Sequence, residues 1–176
     1  MDSDTSTSDT CAILANAHAG TVDLRAFASA LQDGCIRMTE TLARDGEGAT
    51  RLLRITVRGA KDEAEARRMA KTVVNSPLIK TMVHGADPNV GRILMAIGKC
   101  TDCTIAPEKT SATINGFLVV RQGARMEFDD AMVRAALSTH AVDLVVELGV
   151  GMASATAYGC DLSRGYIEEN ASYYSS

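Results

Sequence analysis

The chain has 176 residues, 46% hydrophobic and 23% charged, with a net charge of −4; that is the composition of a globular protein with a sizeable core, not of a disordered chain. The mild acidity gives no general pull toward nucleic acid or anionic membrane, and 4% aromatic content with no Trp argues against a base-stacking surface. No window approaches the ~20 apolar residues of a membrane helix, and the start lacks the basic and apolar runs of a secretory signal, so neither nucleic acid nor membrane is expected as a partner.

The opening MDSDTSTSDTC is small and polar, and its Ser, Thr and Asp residues favour turns made with their own backbone. Leu24, Phe27, Ala28, Leu31, Cys35, Met38 and Leu42 then recur at spacings of three and four, one apolar stripe on a helix over 24–43. Asp23 is placed to cap it, and DGEG (45–48) ends it. In LLRITVRG (52–59) Leu53, Ile55 and Val57 alternate with Arg54, Thr56 and Arg58, the pattern of a half-buried strand. Asp62 caps a helix carrying Met69, Ala70, Val73 and Val74, which NSP (75–77) ends because the residue before Pro leaves the α region. Asp87 as cap and Pro88 at the first position start the next helix, with Ile93, Leu94 and Ile97 facing the core. SATING and FLVVRQG (111–123) form a hairpin on an Asn-Gly turn. Asp129 or Asp130 caps a helix through Leu137, AVDLVVELGVG (141–151) and ASATAYG (153–159) make a second strand pair, and a helical turn near 161–170 precedes a polar end. After the first helix, the order β-α-α-β-β-α-β-β predicts an α/β fold, a mixed sheet mostly covered by helices. One domain over 1–176 is expected, with no repeat and no linker.

Four stretches carry residues suited to chemistry. In DGEGAT (45–50) glycines flank Glu47, so the backbone can turn tightly and approach a ligand; a helix stop with a solvated Glu reads the same letters. SPLIKTMVHGADPNVGR (76–92) sets Lys80, His84, Asp87, Asn89 and Arg92 around a Pro- and Gly-punctuated loop and a helix N-terminus that favours an anion; an ordered connection with a capped helix fits as well. Cys100-Thr-Asp-Cys103 is a lone C-x-x-C, a redox pair or half a zinc site, but no second C-x-x-C or paired His follows. The five cysteines, with Cys11, Cys35 and Cys160 beside these two, are an odd number, and reduced thiols in a cytoplasmic protein are the simplest reading. The fourth stretch is the opening DTSTSDT.

In order, these stretches resemble the ornithine acetyltransferase (glutamate N-acetyltransferase, ArgJ) family. Its segment D-x-D-T-S-T-N-D-T is matched by Asp2 to Thr10, and D-G-E-G-A-T-K by Asp45 to Thr50 with Arg51 in place of Lys. N-S-P-L-V-K-T-A-x-x-G-x-D-P-N-W-G-R is matched by Asn75 to Arg92 with Val90 in place of Trp. Y-G-C-D-L-x-x-x-Y-V-x-x-N-A-x-Y-x-T is matched by Tyr158 to Ser175.

The resemblance implies the β-chain portion of an N-terminal-nucleophile acyltransferase fold. Such enzymes cut their own precursor before a Thr in an A-T-M-L context, and the new Thr is both nucleophile and, through its α-amine, its own base. The acetyl group passes from N-acetylornithine to glutamate through an acetyl-enzyme, in arginine biosynthesis, without a cofactor or a metal, and the α chain supplies an oxyanion hole. No A-T-M-L occurs in these 176 residues, so no catalytic residue is assigned here. Met1 falls on an internal position of a β chain, and the expectation is a fragment, inactive alone, whose α chain or missing N-terminal segment is a partner and whose assembly is oligomeric, with an apolar face left exposed where that partner belongs. Substrate-binding roles carry over to Glu47, Asn170 and Ser175, with N-acetylornithine, ornithine and glutamate as ligands. Glu47 would hold the amine of an ornithine-like substrate. Lys80, Asp87, Asn89 and Arg92 are assigned to structure first. Arg51 for Lys and Val90 for Trp bear on substrate preference. The alternatives are a non-catalytic remnant or accessory subunit that binds an amino acid or a partner, a relative serving secondary metabolism, and, more distantly, a thiol or metal protein built on Cys100 and Cys103.

Overall fold

The computed structural model describes residues 4, 6–18 and 20–172. Helix α1 (Leu24–Arg44) is followed by β1 (Leu52–Ala60), α2 (Glu63–Val74), α3 (Pro77–His84), α4 (Val90–Gly98), β2 (Ser111–Ile114), β3 (Phe117–Arg121), β4 (Ala124–Arg125), α5 (Asp130–Leu137), β5 (Ala141–Glu147), β6 (Ala153–Cys160) and α6 (Arg164–Ala171). The strands form one six-stranded sheet in the order β4-β3-β2-β5-β1-β6. Only β1 and β5 run parallel; every other neighbouring pair is antiparallel. The α/β class with a mixed sheet is therefore as the sequence predicts.

Local signals act as their chemistry demands. Asp23 accepts from the backbone N–H groups of Arg25 and Ala26, Asp62 from Glu65, and Asp129 from Ala131 and Met132, each satisfying donors that a helix start leaves open. Asn115 and Gly116 have φ of 44° and 85°, the left-handed pair of a tight hairpin turn. Leu53, Ile55 and Val57 of β1 are fully buried, and they join Met69, Val73, Ile79, Met82, Ile93, Val133 and Leu137 from α2–α5 in one core. Arg54, on the other face of β1, reaches Asp143 of β5 at 2.5 Å and Glu40 of α1 at 3.5 Å, which ties α1 to the opposite side of the sheet.

Four expectations need correction. Pro77 does close α2, but it is also the first residue of α3, because its missing N–H and fixed φ suit the first turn; the stretch read as a loop is largely helix. The cap of α4 is Asn89, whose side chain accepts from Arg92 N–H, so Asp87 and Pro88 lie outside that helix. A two-residue strand, β4, extends the hairpin. Finally, β5 and β6 are not paired with each other: β1 lies between them. The connection crosses the end of β1, where Val150 and Gly151 both donate to Gly59 O at 2.8 and 2.9 Å. That crossing needs a bare backbone, since a Cβ on Gly151 would lie 2.2 Å from Ala60 O.

The apolar stripe of α1 does not enter the core. No residue of α1 is buried; Leu24 is 76% and Leu42 72% exposed, and Phe27, Leu31 and Met38 are also open. Among the described residues, no helix is long and apolar enough to cross a membrane.

Candidate functional site

The segment after α1 meets the start of α6. Gly48 has φ of +63°, and a Cβ there would sit 2.3 Å from Tyr166 N and 2.4 Å from Gly165 C, so only glycine permits both the turn and the contact. Ser163, the N-cap of α6, donates its hydroxyl to Gly48 O at 2.5 Å and accepts from Tyr166 N. This backbone-to-backbone contact fixes α6 over the 45–49 turn, and six residues along α6 the Asn170 amide donates to Glu47 Oε2 at 2.7 Å. Asn170 also donates to Tyr166 O at 2.9 Å, within its own helix. Both Glu47 and Asn170 are exposed. Two of the three residues assigned from the sequence thus meet; the third, Ser175, lies outside the described residues.

Under this pair lies a hub that residue-by-residue reading did not assign. The Asp161 carboxylate is fully buried. It accepts from Thr50 N at 2.8 Å, Thr50 Oγ1 at 2.5 Å, Arg51 N at 2.9 Å and His84 Nδ1 at 2.8 Å. Burial opposes its ionisation, but the bonds from Thr50, then those from His84 and Arg51, outweigh it and hold the carboxyl below its ordinary range. The signal was present: Thr50 closes DGEGAT, Arg51 follows it and Asp161 sits in YGCDL, both stretches singled out, yet no periodicity or spacing links positions 111 apart.

The residues of the middle motif assigned to structure make contacts within the fold. Lys80 is buried and donates to Cys160 O at 2.9 Å. Arg92 donates to Leu78 O and Thr81 Oγ1, both at 3.1 Å. Asp87 lies near the Asn89 amide at 3.4 Å. Arg51, where the resemblance has Lys, donates through one nitrogen to Val83 O at 2.7 Å and His84 O at 2.5 Å, the last carbonyls of α3. Val90, where the resemblance has Trp, is buried in the core.

Neither Glu47 nor Asn170 lines a groove of about 610 Å³ between α1, α2 and β6 that includes Ile36, Arg67, Lys71, Ser154 and Tyr158. Among the described residues, Cys100, Asp102 and Cys103 form a cluster whose ligand atoms lie within 4.8 Å of one another; it stands apart from the Glu47–Asn170 pair in sequence and rests on α2.

The model of the ArgJ family matches residues 1–175. The chain belongs to the ArgJ family. It is 46% identical over 178 residues to the glutamate N-acetyltransferase Oat2 of Streptomyces clavuligerus, an alignment covering 98% of this chain and 45% of that protein. It is 44% identical to the arginine biosynthesis bifunctional protein ArgJ of Rhodococcoides fascians, covering 98% of this chain and 43% of the relative. The chain therefore spans less than half the length of these ArgJ relatives. Its fold is that of a crystal structure of the ArgJ protein from Bacillus halodurans, with a TM-score of 0.91 at 36% identity over 98% of this chain and 84% of that one.

Proposed function

We propose that this ArgJ-family chain supplies one wall of an amino-acid acyltransferase site, in which Glu47 and Asn170, with Ser175, bind the ornithine-like substrate. The transfer would run from N-acetylornithine to glutamate in the arginine pathway of the cytoplasm. The observation that carries the reading is the 2.7 Å bond between Asn170 and Glu47, contributed by segments 123 residues apart. A carboxylate oriented by a neighbouring amide, at an open surface, suits a primary ammonium, which gains a charge-assisted bond without the cost of a deeply buried charge. The second Glu47 oxygen remains to receive such a group. The exposure of both residues also suits a site that is closed by a further segment, and the open stripe on α1 suits an assembly with that segment.

The nucleophile is not assigned to this chain: its 176 residues hold no A-T-M-L segment. The reading therefore expects these residues alone to bind ligand without turning it over, since loss of a single oxyanion donor already costs a factor of ~10²–10³. Calorimetric titration with N-acetylornithine and with ornithine tests it. Saturable binding is expected, weakened by Glu47→Gln and by deletion of residues 170–176. Equal affinity in both variants and the parent removes the assignment. Acetyl transfer to glutamate by the purified chain, above a Glu47→Ala control, overturns the expectation that it is inactive alone.

A further inference from the structure

The C-x-x-C at the end of α4 takes no part in the site above, and its geometry is that of a working pair. Cys100 follows the last turn of α4 and donates to Ile97 O, and Cys103 N donates back to Cys100 O at 3.1 Å, closing a tight turn. The two sulfurs stand 2.8 Å apart. Both are fastened to α2. Thr72 Oγ1 donates to Cys100 Sγ at 3.7 Å, Cys103 Sγ approaches Glu65 O at 3.6 Å, and Glu65 accepts from Thr104 N at 2.8 Å on the next residue. Cys100 is buried and Cys103 half-buried. Arg68 reaches Asp102 at 3.3 Å, which sets its guanidinium beside Cys103.

We infer that Cys100 and Cys103 are a reversible dithiol–disulfide pair that exchanges with low-molecular-weight disulfides such as oxidised glutathione. A disulfide of about 2.05 Å needs the sulfurs to close by less than an ångström, a rotation within one clamped turn. Zinc is the competing reading, and two features oppose it. Sulfurs in a tetrahedral zinc site stand about 3.8 Å apart for bonds of about 2.3 Å, so the pair would have to spread. The Arg68 guanidinium, at Asp102 and Cys103, also repels a cation where the carboxylate would ligate, whereas the same charge favours a thiolate.

The two sulfurs have different roles. Cys103, the more open and the one beside Arg68, attacks as its thiolate. Its sulfur bonds to one sulfur of oxidised glutathione, the S–S bond of that molecule breaks, and a glutathione thiolate departs. Burial and the neighbouring Cys103 push the Cys100 thiol up to about 12, so it stays protonated until the second step. It then attacks the Cys103 sulfur of the mixed disulfide. Its proton leaves along the contact with Asp102 Oδ1, 3.6 Å away, and the second glutathione departs as thiol. The protein loses two protons and two electrons, and one oxidised glutathione becomes two reduced ones.

Trypsin offers a direct readout, because cleavage after Lys99 and Lys109 places both sulfurs in one decapeptide, CTDCTIAPEK. The folded full chain is equilibrated with excess oxidised glutathione, quenched in acid, unfolded, alkylated, digested and weighed. The expected decapeptide is two hydrogens lighter and takes no alkyl group, while the peptide containing Cys160 is alkylated. Cys100→Ser should trap one glutathione on Cys103, and Arg68→Met should slow oxidation, because it removes the positive charge beside the attacking sulfur. A decapeptide that keeps two alkylatable thiols overturns the inference. So does a parent chain that stops at the glutathione adduct, or one equivalent of zinc that protects both thiols from alkylation. An unchanged oxidation rate in Arg68→Met removes the role given to Arg68.

Discussion

Asn170 donates to Glu47 across 2.7 Å although 123 residues separate them, and both side chains are exposed. An exposed hydrogen bond adds little to stability, because water replaces either partner readily. Its importance lies in position: Asn170 holds one oxygen of an exposed Glu47 carboxylate beside α6.

Asn170→Ala should therefore separate binding from stability. Its unfolding free energy should fall by less than about 1 kcal/mol, while ornithine affinity falls about tenfold with the loss of an oriented charge-assisted contact. Urea unfolding beside calorimetry measures both. A variant that loses stability and affinity in proportion would show Asn170 to be a structural residue.

Gly48→Ala should act in the opposite sense. The new methyl meets the backbone of Gly165 and Tyr166, which no side-chain rotation relieves, and φ of +63° is itself unfavourable for alanine. A loss of about 3 kcal/mol is expected, with amide exchange accelerated first in α6. A change under about 1 kcal/mol would mean that α6 does not sit on the 45–49 turn.

Asp161 sets an acid limit on stability. Its folded-state carboxyl lies below its ordinary value, so its contribution is complete above the unfolded value near about 3.9 and disappears as pH falls through the lower folded value. Asp161→Asn should cost about 2–4 kcal/mol at neutral pH, the range for a buried, charge-assisted network. The gap from the parent should narrow below about pH 4. Urea midpoints across the acid range test this, and a gap independent of pH would place the damage in shape rather than charge.

The α1 stripe is open to a partner, so the isolated chain should self-associate. Phe27→Lys with Leu31→Lys should shift sedimentation toward monomer and change unfolding free energy by no more than about 0.5 kcal/mol, as for other exposed sites. A parent chain that is already monomeric at high concentration contradicts the expectation.

Much of the fold was legible because its signals are local. Asp23, Asp62 and Asp129 cap where their side chains reach free N–H groups, β1 alternates because one face is buried, and Asn115-Gly116 reads as a turn from its own backbone preferences. The failures share a cause. Pro77 both stops one helix and opens another, and only the next eight residues in three dimensions decide between those meanings. The insertion of β1 between β5 and β6 depends on Gly59 and Gly151 passing one another, which no period records. At the candidate site, Glu47 and Asn170 were found through resemblance, not spacing, and Asp161 was passed over because its four bonds come from two stretches, around Thr50–Arg51 and at His84, both far from it in sequence.

The place of β1 also sets an order for assembly. Both of its neighbours come from the last part of the chain, with Leu52 paired to Ala141 on one side and Cys160 on the other. On a ribosome, β1 waits about 80 residues for β5, the earlier of its two neighbours in this sheet. During that interval Leu53, Ile55 and Val57 can be covered only by the following helices, and such long-range pairing is intrinsically slow and exposed to misassociation. A nascent chain halted before residue 141 lacks both β5 and β6, the two strands that flank β1 in this sheet.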